Sequence, residues 1–98
     1  MDFSKEEHIF RKKLVWFAAI QWTGTNFDEI KTFFGQDAER CLELENVVPN
    51  SEIKRNLTIK TLEGNHTALP NDFIIRGVKG EYYTCKPDVF EETYEVVE

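Results

Sequence analysis

From Lys13 to Trp22 the chain alternates, with Leu14, Trp16, Ala18, Ile20 and Trp22 on one side and Val15, Phe17, Ala19 and Gln21 on the other. A period of two is that of a strand, and apolar residues on both faces predict a central strand covered on two sides. Thr23-Gly24-Thr25 interrupts the pattern, and the period changes. Phe27, Ile30, Phe33 and Phe34 recur at helical spacing, behind Asn26 as a cap and Glu29 as its capping-box partner, and Gly35 follows as a left-handed stop. This predicts one short amphipathic helix over Phe27–Phe34.

Alternation returns over Cys41–Val48 and again over Leu57–Leu62, where Leu57 and Ile59 point inward. Glu63-Gly64-Asn65 reads as a hairpin turn into His66–Leu69, and Pro70-Asn71-Asp72 as a second turn, because Asn tolerates a positive φ. Phe73–Arg76 and Glu81–Lys86 are two further strands joined through Gly77-Val78-Lys79-Gly80. Pro87 and Asp88 suit the start of a short helical turn, and Thr93–Val97 is expected as a last strand. The expected fold is α+β, one short helix packed on a curled, mainly antiparallel sheet resembling a small barrel. Its core is expected from Trp16, Ile20, Phe27, Ile30, Ile59, Ile74 and Phe90. Residues 1–98 read as a single domain, with 1–13 a polar lead-in that is frayed or forms a short helix.

Composition adds limits. Ninety-eight residues that are 41% hydrophobic, with eight Phe, three Tyr and two Trp, carry enough apolar surface for one modest core. The net charge is −6, and the chain from Pro87 onward holds Asp88, Glu91, Glu92, Glu95 and Glu98 with no base. Such a surface repels a phosphate backbone, so direct nucleic-acid binding is not expected, whereas a basic protein partner is compatible with it. No apolar run approaches membrane-spanning length, and Met1–Lys13 lacks the apolar core of a signal peptide. With only Cys41 and Cys85, and no metal-type spacing, the expectation is a reduced cytoplasmic protein with no membrane partner and no cofactor.

Several segments resemble a family of small, uncharacterised phage and prophage proteins. They are AIQWTG at Ala19–Gly24, DEIKTFFG at Asp28–Gly35, TLEG at Thr61–Gly64, and the stretch PNDFIIRGVKGEYYTCKPDVF at Pro70–Phe90 running on into EETYE at Glu91–Glu95. The family pattern differs from this chain at three places, having Gly where Asn71 stands, Trp where Phe73 stands and Pro where Thr84 stands. Asn71 preserves the turn, while Phe73 removes an indole donor. The resemblance implies a phage accessory protein of the kind that inhibits host antiviral defence. It implies no particular activity.

Catalysis has little support. His8 and His66 lie in a polar lead-in and beside a turn, and no motif pairs His66 with Cys85, which reads as an ordinary core thiol. Anion binding is better founded. Arg76 and Lys79 flank Gly77 and Gly80, so two cations and backbone amides could converge on a phosphate; Lys86 lies one strand away, and Tyr82, Tyr83 or Trp22 could stack on a base. The plainer alternative has Arg76 and Lys79 pairing with Asp72, Glu81 or Asp88 to brace the hairpin. Three functions follow as expectations. The first is a non-enzymatic inhibitor that sequesters a small cyclic or linear nucleotide signal in a pocket shared across a homo-oligomer. The second is a protein–protein inhibitor that docks on a host defence protein through an acidic and aromatic surface. The third is a phage structural or accessory protein with neither role.

Overall fold

The computed structural model describes residues 4, 7, 9, 17–45 and 54–97. In chain order the elements are β1 (Ala18–Gln21), α1 (Phe27–Phe34), a 3-10 turn (Gly35–Asp37), α2 (Ala38–Cys41), β2 (Leu42–Leu44), β3 (Leu57–Thr61), β4 (Gly64–Ala68), β5 (Phe73–Arg76), β6 (Tyr82–Cys85) and α3 (Pro87–Thr93). The class is α+β and every strand pairing is antiparallel. The strands do not make one curled sheet. They divide into two three-stranded sheets, ordered β1-β5-β6 and β2-β3-β4, that do not close into a barrel.

The strand with apolar residues on both faces is not central. β1 lies at the edge of its sheet and β5 occupies the middle, with Ile74 and Ile75 on opposite faces and both buried. Pairing of β1 with β5 continues one residue further, because the Trp22 N–H donates to the Asp72 carbonyl (2.9 Å) and the Asn71 N–H to the Trp22 carbonyl. This sends Trp22 inward with Ile20.

Gly35 takes the positive φ expected of it, +61°, and its N–H bonds to the Lys31 carbonyl. The helical path nonetheless resumes and runs to Cys41. The reason lies in the sequence, since the buried stripe Ile30, Phe34, Ala38, Cys41 continues at helical spacing across the glycine. Cys41 therefore ends a helix rather than starting a strand, and β2 begins at Leu42. Asn26 precedes α1 as expected but turns away from it. Its Oδ1 accepts from the Thr23 N–H (2.9 Å) and its Nδ2 donates to the Gln21 carbonyl (3.0 Å), so no side-chain cap forms and Glu29 meets only the Asn26 amide.

The hairpin between β3 and β4 turns at Leu62-Glu63, one residue earlier than expected, with Gly64 already paired to Thr61. At the other turn Asn71 has φ +79°, as its residue type allowed. The expected last strand is absent: α3 starts on Pro87 at its first turn and extends to Thr93, and residues 94–97 form no strand. Phe90 and Tyr94, four apart, explain this, because helix puts both on one side, against the sheet.

The main core lies between the sheets and α1–α2, around Trp22, Ile30, Phe34, Leu57, Ile59 and Ile74, with Ile20 and Phe27 half-buried at its margin. Phe90 is not part of it. It stacks on Phe73 at 3.9 Å on the opposite face of the β1-β5-β6 sheet, where Tyr94 meets Phe17 edge-on at 4.7 Å. Trp16, and residues 46–48 of the expected second strand, lie outside the described residues, as does most of the 1–13 lead-in. One contact fastens the two sheets together near Gly24. The Arg55 N–H donates to the Gly24 carbonyl (3.1 Å) and the Trp22 indole donates to the Arg55 carbonyl (2.8 Å). Gly24 has φ +97°, and a Cβ there would lie 2.7 Å from Lys54 Cβ.

Candidate functional site

The β5–β6 hairpin carries most of the residues proposed for anion binding, and its geometry assigns each a partner or a direction. Alternation along β6 puts Tyr82 and Tyr83 on opposite faces of the sheet. Tyr82 faces inward and stacks on Phe34, with ring centroids 4.0 Å apart and planes 12° from parallel. Tyr83 faces outward and is 38% exposed. Burial, with Tyr94, Glu81 and Cys85 adding to it, pushes its phenol pKa above the usual value. The two rings cannot grip one base between them.

Arg76 also points inward. Its Nη1 donates to the Phe33 carbonyl (3.0 Å) and its guanidinium lies 4.7 Å from the Phe33 ring centroid. The Phe33 carbonyl is in the last turn of α1, where a cation complements the helix dipole, so Arg76 ties helix to sheet. Trp22 is fully buried and its indole N–H is bonded, which corrects its expected role: no face of the ring is open to stack on a ligand.

The glycines serve the turn. The Gly77 N–H donates to the Glu81 carbonyl (2.8 Å) and the Gly80 N–H to the Gly77 carbonyl (3.0 Å), which leaves neither amide for a phosphate. The Glu81 side chain folds over Gly77, and a Cβ at that position would collide with Glu81 Oε1. A carboxylate thus sits where an anion was expected. Gly80, at φ +82°, closes the turn. Lys79, beside it, is exposed and has no ion-pair partner among the described residues.

Lys86 is held at the other end of β6. Its Nζ reaches both oxygens of Asp72, at 2.9 and 3.2 Å, and Asp72 Oδ2 also accepts from the Leu69 N–H (3.0 Å). Asp72 is 3% exposed, whereas the Lys86 side chain is half in solvent. Bracing therefore occurs, but with partners other than those expected: Lys86 takes Asp72, and Arg76 takes a helix carbonyl instead of a carboxylate. Of the six residues only Lys79 and Tyr83 are both exposed and, among the described residues, uncommitted to another side chain by hydrogen bond or ion pair.

Cys85, expected as a core thiol, is not fully buried. Cys41 is the buried thiol, and Cys85 is half-buried on the outer face, its Sγ 3.6 Å from the Lys86 carbonyl. His66 belongs to the inner face of the other sheet, paired with Ile59, so it does not meet Cys85. Glu43 lies on the outer face of that sheet and pairs with Lys60 (3.1 Å). Among the described residues no cluster of three metal-ligating side chains occurs and no helix is long and apolar enough to cross a membrane.

The acidic run after Pro87, which the sequence marked as compatible with a basic partner, lies along α3 and the residues that follow it. Asp88, Glu91 and Glu92 on α3 and Glu95 just after it are exposed, and none has an ion-pair partner among the described residues. Between and after them stand Val89 (50% exposed), Val96 (80%) and Val97 (63%). The only available signal was the run without a base after Pro87; which valines face water depended on whether 93–97 was strand or helix end. Comparison with known family models, with curated proteins and with solved structures finds no match to this chain.

Proposed function

We propose that the protein acts by binding, without catalysis, as an accessory protein that docks on a partner protein through the outer side of α3 and the residues following it. The observation that carries this reading is the interleaving, over residues 88–97, of exposed valines with carboxylates that have no ion-pair partner among the described residues. Carboxylates steer a basic partner into encounter, and the aliphatic side chains supply area to bury once it arrives. The resemblance to small phage proteins supports a host defence protein as that partner and inhibition as the outcome. A second reading, capture of a small anionic nucleotide, is favoured by Lys79 and Tyr83, both exposed toward one end of β6.

Two measurements made together test these readings. Wild type and a variant with Asp88→Asn, Glu91→Gln, Glu92→Gln and Glu95→Gln are compared for retention of host proteins, and the wild type is screened by thermal shift against cyclic and linear nucleotides. The docking reading expects a basic host protein that the wild type retains and the variant loses, with no nucleotide raising the melting temperature. A nucleotide that does raise it, with the rise abolished by Lys79→Ala, would transfer the function to the hairpin.

A further inference from the structure

α3 is seven residues long and contains no buried residue. A helix of that length does not persist in water by itself, so it exists only while docked. Among the described residues its attachments are few. Phe90 stacks on Phe73 at 3.9 Å, Tyr94 meets Phe17 at 4.7 Å, and Lys86, at its N-terminus, holds Asp72. The two ring contacts are made on the outer face of the β1-β5-β6 sheet, the ion pair lies at the end of β6 where the helix begins, and none of these residues belongs to the main core around Trp22 and Ile30. A single residue, Lys86, separates the helix from the end of β6 at Cys85.

We propose that α3 is a strap: it undocks and unravels as one unit, uncovering Phe73 and Phe17 on the outer face of the sheet while both sheets and α1 stay folded. Elements with few apolar contacts open below the free energy of global unfolding, and the contacts of α3 fit that description. The strap is separate from the question of what docks on its outer side. It adds a second state in which an aromatic sheet face is presented in place of an acidic helix.

Native-state hydrogen exchange resolved by residue tests this in the full chain. The Phe90 and Tyr94 amides, bonded to the Lys86 and Phe90 carbonyls at 2.9 Å, report the strap. The amides of Ile59 and Ile74 report the two sheets. The strap expects Phe90 and Tyr94 to exchange at least about tenfold faster than Ile59 and Ile74, with a urea dependence above zero and below that of the sheets, because a finite surface opens. Ile30→Ala should speed exchange at Ile59 and Ile74 by at least about thirtyfold and leave Phe90 and Tyr94 unchanged. Ile59→Val serves the same purpose if that variant does not fold. Acceleration of Phe90 and Tyr94 in step with the sheets would show that α3 opens only with the whole molecule. No urea dependence at these amides would reduce the strap to end fraying. Either result overturns it.

Discussion

At the scale of single residues, two side chains show how the hairpin is held. Lys86 is half in water, but its carboxylate partner is not, and the consequence of cutting the pair falls on Asp72. Lys86→Met leaves a buried acceptor with the Leu69 N–H alone, and the expected loss is about 1–3 kcal/mol by urea denaturation. Tyr83 gives a pH dependence whose sign follows from its raised pKa. Its neutral form is favoured in the fold, so its contribution is complete below the ordinary phenol value of 10.0 and is lost as pH rises through the higher folded value. Stability followed from pH 9 upward should therefore fall, and Tyr83→Phe should make that fall shallower. An unchanged alkaline profile would show that burial of this phenol has no energetic weight.

At the scale of elements, the junction at Gly24 joins what the sequence keeps apart. The end of β1 and the segment entering β3 approach so closely that a methyl group has no room, and the φ of +97° is one that L side chains rarely adopt. Gly24→Ala combines both faults, and a loss of more than about 1 kcal/mol in urea denaturation is the expected outcome. Gly35, also at positive φ, has nothing within 4 Å of where its Cβ would stand. Gly35→Ala thus carries only the backbone part, and the difference between the two variants measures the close approach itself. Equal losses would remove packing against Lys54 from the account.

At the scale of the whole molecule, the fold was legible where period and punctuation agreed. Ile74, Ile59 and Leu57 were inward by alternation, Phe27 to Phe34 was helical by spacing, and Asn71 turned because its side chain tolerates the conformation. Legibility failed where one signal had two meanings. Gly35 stops a helix locally, yet Ala38 and Cys41 had a buried side to fill and carried the helical path past it. The alternating stretch ending at Trp22 reads as central, but apolar residues on both faces do not distinguish a middle strand from an edge strand whose outer face stays partly exposed. For the site, residue types were read correctly as charged or aromatic, but their direction was not. Whether Arg76 faces a ligand or a helix end depends on which side of β5 meets α1, and that is fixed by register between segments far apart in the chain.

β5 has a consequence beyond the packing it provides. Ile74 and Ile75 are neighbours in sequence, yet one belongs to the cluster around Trp22 and the other to the opposite side with Phe73. Two compartments therefore share a wall one residue thick. Changes at 73 and 75 retune the aromatic side, and changes at 74 retune the aliphatic interior, with little cross-talk. A chain built in this way can revise one face of the sheet by substitution while the interior that keeps it folded stays as it was.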